Sequence, residues 1–327
     1  MILAGDIGGT HTRLAFFDVL NGRYNLIAAS VFPSREYKGL DQIVAHFVHS
    51  SDLRPTSACF GIAGPVYKGR VETSNLPWVI ESQQLADELK IRKATLINDL
   101  EATAWGVSTL GANDLVSLNR VEILLPGNQA VIAAGTGLGQ AGMYWDGSQY
   151  HAFACEGGHC DFAPRNDLEV ELFCYLRSRF GHVSYERILS GPGLVNVYGF
   201  LRDTGRGSEP VWMAKEMADG DPAAAISKAG LDGSSRLCEQ ALDLFVSIYG
   251  AEAGNLALKH KSTGGLFLAG GIAPKLLPKL SAPGFLEAFI DKGRMQYLME
   301  SIPVKVITND ALALLGAARC AVVHSET

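Results

Sequence analysis

Apolar residues fall in short blocks at the start of the chain. Residues 2–7 form an apolar run that stops at Gly8-Gly9-Thr10. Residues 12–19 (Thr-Arg-Leu-Ala-Phe-Phe-Asp-Val) form a second run, closed by Asn21-Gly22. Blocks bounded by Gly and Asn predict strands, and Asn-Gly between two apolar runs is the strongest short hairpin signal. Strands are therefore expected over 2–7, 12–19 and 24–31. The spacing then changes: Leu40, Ile43, Val44, Phe47 and Val48 lie on one face of a helix over 39–50. A strand at 57–62, a helix at 81–90, a strand at 94–97 and a helix from 99 complete the first half.

The second half repeats that order. Residues 130–135 form an apolar strand ending in Gly135-Thr136-Gly137-Leu138-Gly139, and strands follow at 140–145 and 149–154 around Asp146-Gly147. Helices are expected over 167–180, 211–229 and 234–260. The buried-type strand Leu266-Phe267-Leu268-Ala269 runs into Gly270-Gly271. Val304-Lys305-Val306-Ile307 then leads through Asn309-Asp310 into an apolar helix, mirroring Ile97-Asn98-Asp99 in the first half. Two copies of one α/β unit predict two similar lobes with a cleft between them. The boundary is expected near 108–114, where Ser108, Gly111, Asn113 and Asp114 cluster, and Gly205–Pro210 reads as a surface loop.

Composition narrows the function. A chain of 327 residues is long for one core and natural for two. The formal net charge is -6, and without a run of Lys or Arg there is no footprint for nucleic acid. The N-terminus lacks the basic stretch and apolar core of a signal peptide, and no apolar run reaches the length of a membrane span. The six cysteines are scattered without CxxC spacing, which suits a reducing cytoplasm.

Two glycine turns occupy the same place in the two copies. Glycine permits positive φ and close approach of backbone to a ligand, so successive N–H groups can converge on phosphate oxygens. Gly8, Gly9 and Thr10 form one such candidate and Gly135, Thr136 and Gly137 the other, with Asp6 placed to hold hydrated Mg²⁺; the plain alternative is a pair of tight hairpins. No Gly-Lys-Ser/Thr follows, so neither is a Walker loop. Neither is a dinucleotide fingerprint, because a strand comes next. Asp99 at a strand-to-helix junction reads either as an N-cap or as a reactive acid. Cys155-Glu156-Gly157-Gly158-His159-Cys160 joins an acid and an imidazole after a strand, but no second Cys/His cluster completes a zinc site. Glu186 reads as a solvated helix residue or a ligand contact. Thr73–Trp78, with Asn75, reads as a plain turn or the wall of a sugar pocket.

Taken together, these motifs resemble the bacterial glucokinases of the hexokinase/actin/Hsp70 superfamily, from about residue 3 to about residue 318. Asp6–Arg13 is similar to the family's first phosphate motif, Gly135–Gly139 to its second and Ala269–Ile272 to its adenosine motif. Ile97-Asn98-Asp99 sits where the family keeps its catalytic aspartate, and Glu156–His159 and Glu186 where it keeps its sugar contacts. Ser190–Leu194 and Leu314–Ala318 match as well. The Cys-rich zinc segment and the DNA-binding domain of repressor relatives have no counterpart here, which favours the zinc-free glucokinase branch.

The resemblance implies an α/β fold of two RNase H-like (actin/hexokinase-type) lobes with an inter-lobe cleft. The small lobe would comprise 1–110 with the C-terminal helix 311–327, and the large lobe 111–310. It further implies a cytoplasmic homodimer that phosphorylates glucose with ATP and Mg²⁺, the first step of glycolysis. Asp99 would be the general base. Asn98, Asp99, Glu156, His159 and Glu186 would hold the sugar, joined by Asn75 from the Thr73–Trp78 loop if that loop walls the pocket, and Gly270 and Gly271 the adenosine. The alternatives are a kinase for mannose, fructose or an N-acetyl amino sugar, or a non-catalytic sugar sensor or actin-like ATPase.

Overall fold

The computed structural model describes residues 1–20, 22–73, 75–121 and 126–324. They group into two units. The first is Met1–Asp114 with Ala141–Ala154 and Asn309–Thr327, and the second is Leu115–Gln140 with Cys155–Thr308. Residues 141–154, expected in the large lobe, are thus grouped with the first unit.

The first unit opens with β1 (Ile2–Ile7), β2 (His11–Leu20) and β3 (Arg23–Pro33), followed by helix α1 (Leu40–Ser51) and β4 (Ser57–Ile62). A two-stranded ribbon, β5 (Arg70–Glu72) and β6 (Val79–Glu81), precedes α2 (Ser82–Leu89), β7 (Ala94–Asn98) and α3 (Asp99–Val107). The main sheet has the order β3-β2-β1-β4-β7, with β4 parallel to both β1 and β7. Side chains alternate faces along a strand. Leu3, Ile7, Leu14 and Phe16 accordingly meet Ile43 and Phe47 of α1 and Leu85 of α2. Ile2, Ala4, Ala15 and Phe17 meet α3 and the helix Leu312–Val323 on the other face. Asn21, of the expected Asn-Gly turn, lies outside the described residues, as do Ser74 and residues 325–327 of the expected C-terminal helix.

The remaining strands are β8 (Leu115–Ser117), β9 (Gln129–Ala134), β10 (Leu138–Trp145), β11 (Tyr150–Cys155), β12 (Gly265–Ala269) and β13 (Val304–Ile307). Their order is β11-β10-β9-β12-β13-β8. Leaving out β8, both sheets run third, second, first, fourth, fifth, so the repeat read in the sequence is a repeat of topology. The expected α/β fold with two RNase H-like lobes is borne out.

The helices of the second unit are α4 (Asp167–Phe180), α5 (Gly191–Asp203), α6 (Val211–Asp219), α7 (Pro222–Leu231) and α8 (Arg236–His260). The single helix expected over 211–229 is two. Pro222 lacks the N–H that would continue α6, and the Asp221 side chain accepts from Ala223 N and Ala224 N to start α7. Ser190-Gly191-Pro192-Gly193, read as a motif without an element, begins α5, with Ser190 Oγ accepting from Gly193 N at 3.0 Å. Among the described residues no helix is long and apolar enough to cross a membrane.

Candidate active site

In the first unit, Gly8-Gly9-Thr10 turns β1 into β2. Gly8 N donates to the His11 carbonyl and Ser34 N to the Thr10 carbonyl, both at 3.0 Å. Ser34, fully buried, also donates its hydroxyl to the Gly8 carbonyl at 2.8 Å and bonds Thr12 Oγ1 at 3.0 Å. Among the described residues the N–H groups of Gly9 and Thr10 have no protein acceptor, and Thr10 is exposed. A half-buried Asp6, the penultimate residue of β1, lies opposite Arg13. Burial pushes the Asp6 carboxyl up, and the Arg13 guanidinium opposes it. One carboxylate beside a phosphate-ready turn suits Mg²⁺, which takes one or two carboxylates plus phosphate oxygens and water. Among the described residues no three His, Cys, Asp or Glu side chains surround a common metal position.

At the end of β7, Asn98 Oδ1 accepts from Leu100 N at 2.9 Å and Asn98 Nδ2 donates to the Gly64 carbonyl at 3.1 Å. The N-cap of α3 is therefore Asn98, and Asp99 is its first helical residue, half-buried, with Oδ1 also 2.9 Å from Leu100 N. In the second Asn-Asp pair Asn309 Oδ1 likewise accepts from Ala311 N at 2.9 Å, but the helix there starts at Leu312 with Ala311 as its N-cap and no side-chain cap bond. Capping, one of the two roles open to Asp99 from sequence, falls mainly to the asparagine.

In the second unit, Gly135 N donates to the Gly137 carbonyl at 2.9 Å, and the N–H groups of Thr136 and Gly137 have no acceptor among the described residues. The positive φ expected of these turn glycines is absent from Gly8, Gly9, Gly135 and Gly137. Space is what excludes side chains at two of them. A Cβ on Gly9 would lie 2.8 Å from Asn75 Cβ, and one on Gly137 would lie 2.5 Å from Glu186 Oε2. Gly270 does have φ +81°, where any side chain is strained.

A cavity of about 1130 Å³ opens beside this turn, lined by Gly135, Thr136, Gly191, Asp221, Lys228, Gly271 and Lys275 among others. A Cβ on Gly135 or Gly271 would meet no protein atom within 4 Å, so the bare backbone there faces space a ligand can fill. The starts of α5 and α7 line the same cavity. Asp221 and Lys228 were not singled out in the sequence; the Asp-Pro helix start was the available signal.

Glu156 and His159 are exposed, and the Glu156 carbonyl accepts from His159 N at 3.1 Å. Their loop is zipped to the segment before Glu186: Phe162 N donates to the Val183 carbonyl at 2.9 Å and Tyr185 N to the Cys160 carbonyl at 3.1 Å. Beneath lies a buried network absent from the sequence reading. Gln140 Nε2 donates to Glu252 Oε1 at 2.8 Å, and Asn255 Nδ2 donates to Glu252 Oε2 and Tyr185 Oη at 3.0 Å each. A Cβ on Gly157 would reach within 2.0 Å of Gln140 Oε1. The signal was an acid, Glu252, inside the apolar Ile248–Gly254 stretch, since a buried charge requires partners.

The structure thus gathers Asp6, Gly8, Gly9, Thr10, Asn75, Asn98 and Asp99 in the first unit. Gly135, Thr136, Gly137, Glu156, His159, Glu186, Gly270 and Gly271 belong to the second. The description of one protein family, glucokinase, matches residues 3–324. The chain belongs to the glucokinase family. A glucokinase of a Nostoc species is 44% identical over 98% of this chain and 98% of its own. The glucokinase of Trichormus variabilis matches with the same figures. Among solved structures, a glucokinase from an Antarctic psychrotroph superposes with a TM-score of 0.87 at 30% identity, covering 98% of both chains. The family resemblance drawn from the motifs is borne out.

Two residues past Asp99, burial pushes the Glu101 carboxyl up to about 7, helped by Cys320 and opposed by Trp105, the Asn98 backbone and His324. Its ordinary value is 4.5, so between about 4.5 and 7 the folded state binds more protons than the unfolded state, and stability falls as pH rises through that window. Glu101→Gln is expected to melt a few degrees above wild type at pH 8 and with it near pH 4.5. A melting difference that stays constant across this range would show Glu101 ionising normally.

Proposed function

We propose that the protein transfers the γ-phosphoryl group of ATP to the primary hydroxyl of glucose, giving glucose 6-phosphate and ADP. Membership of the glucokinase family supports this activity. The observation that carries the mechanism is the pair of turns, each with an exposed threonine and two N–H groups that no protein acceptor claims among the described residues. Phosphoryl transfer needs little covalent help and depends on alignment and charge neutralisation. Gly8, Gly9 and Thr10 and Gly135, Thr136 and Gly137 are assigned to the phosphates, and Gly270 and Gly271 to the adenosine. Mg²⁺, when bound, neutralises phosphate charge; Asp6 would hold it through water.

Asp99 accepts the proton of the attacking hydroxyl. Glu156, His159, Glu186 and Asn75 hold the ring hydroxyls. Asn98 adds the amide proton and lone pair left over from its cap and its bond to Gly64. Carboxylates suit this task because each accepts several O–H donors. Excluding water from the transferring group keeps it from competing as acceptor. A cytoplasmic location, where ATP is supplied, and a homodimeric assembly belong to the same proposal and follow the family resemblance.

The test is ADP release from the purified protein with Mg-ATP and glucose, mannose, fructose or N-acetylglucosamine. Glucose is expected to give the highest kcat/KM. A site whose polar groups pair with particular hydroxyls rejects a sugar lacking one by up to about 10⁴–10⁵. A higher kcat/KM for another sugar would keep the mechanism and replace the substrate.

A further inference from the structure

Glu186 is half-buried and touches the second glycine turn directly. Its Oε2 accepts from Leu138 N at 3.0 Å, against the face of Gly137 where no side chain fits. Two neighbouring bonds complete the attachment. Gly191 N donates to the Gly135 carbonyl at 2.8 Å, and Ser190 Oγ donates to the Glu186 carbonyl at 2.8 Å. The segment from Glu186 to Gly191 is thereby stitched to both ends of the turn whose Thr136 and Gly137 N–H groups are unclaimed among the described residues. An ionised carboxylate offers about four acceptor positions, and Leu138 N–H takes one.

We propose that Glu186 couples sugar to nucleotide: it holds the phosphate turn through Leu138 N–H while its remaining acceptor capacity takes a sugar hydroxyl. This goes beyond a sugar contact and rests on the kinase reading of the site. A bound hydroxyl removes the rotational freedom of the carboxylate, and with it the freedom of the Leu138 end of the turn. Thr136 and Gly137 then present their N–H groups to phosphate in one arrangement. Sugar thus tightens nucleotide binding, and by linkage nucleotide tightens sugar binding by the same factor.

Calorimetric titration with a non-hydrolysable ATP analogue and Mg²⁺, with and without saturating glucose, separates the outcomes. In wild type, glucose is expected to tighten the analogue about fivefold or more. Glu186→Ala is expected to weaken it about tenfold even without sugar, the effect of losing one charge-assisted hydrogen bond, and to abolish the glucose effect. Glu186→Gln keeps an amide oxygen for Leu138 N–H, so its sugar-free affinity is expected to stay within about threefold of wild type. That rescue excludes general damage, and melting temperatures of the three proteins control for it.

Unchanged analogue affinity in Glu186→Ala, with only the glucose requirement raised, would overturn the coupling and leave a plain sugar ligand. Equal weakening in Gln and Ala would also overturn it, because the bond to Leu138 would then not matter. A wild type that binds no analogue at all would instead overturn the kinase reading, and the coupling with it.

Discussion

Asp99→Asn is expected to lower kcat by about 10²–10⁴, the usual worth of a positioned general base. Its melting temperature and its KM for glucose should stay near those of wild type. The substitution is close to isosteric. The amide oxygen can still accept from Leu100 N, and the N-cap of α3 is supplied by Asn98 in any case. What the amide cannot do is take a proton from the sugar hydroxyl. The companion variant Asp310→Asn occupies the matching position in the second Asn-Asp pair, where Asn309 Oδ1 accepts from Ala311 N, the following helix has Ala311 as its N-cap, and the Asp310 carbonyl accepts from Arg13. It should change stability by no more than about 1 kcal/mol and leave turnover alone. Turnover of Asp99→Asn within tenfold of wild type would remove Asp99 from the chemistry. A collapse in Asp310→Asn would assign the reaction to the other pair.

The largest effect on stability is expected from Gly316→Ala. The helix Leu312–Val323 crosses α3 backbone to backbone. A Cβ on Gly316 would stand 1.7 Å from the Ala102 carbonyl oxygen and 2.6 Å from Gly106 N, and one on Gly106 would stand 2.5 Å from the Leu312 carbonyl oxygen. Atoms at such distances must move apart, and here both partners are backbone, so no rotamer change relieves the contact. Overpacking of this kind costs about 1–3 kcal/mol and more where the backbone is fixed; a loss of about 3 kcal/mol or more is expected. Because α3 begins at Asp99, a shift of this helix pair also moves the proposed base, and kcat should fall with the melting temperature. Gly284→Ala, in a helix where a Cβ meets nothing within 4 Å, is the control and should be neutral or slightly stabilising. Equal melting temperatures for the two variants would mean the helices separate at little cost.

Much of this was legible in the sequence where the signal was local. Strands β1, β4 and β7 are short apolar blocks buried on both faces, and Gly8-Gly9 and Asn98-Asp99 interrupt them at their ends. The repeat of strand order was visible because each turn residue sits at the same place in both copies. The break between α6 and α7 was written in Asp221-Pro222 and was overridden by an apolar spacing that continues across it. The reason for glycine at positions 9 and 137 was not legible. It lies in Asn75 and Glu186, which are distant in sequence and meet the turns only after folding. The Gln140–Glu252–Asn255–Tyr185 network was hidden for the same reason: pairing across three elements leaves no periodicity.

The central claim is that ATP is consumed only to phosphorylate glucose. It is tested most directly by measuring ADP and glucose 6-phosphate in the same reaction, with glucose present and with glucose left out. Equal amounts of the two products with glucose, and almost no ADP without it, are the expected result. ADP released at the same rate whether or not glucose is present, with no sugar phosphate formed, would contradict it.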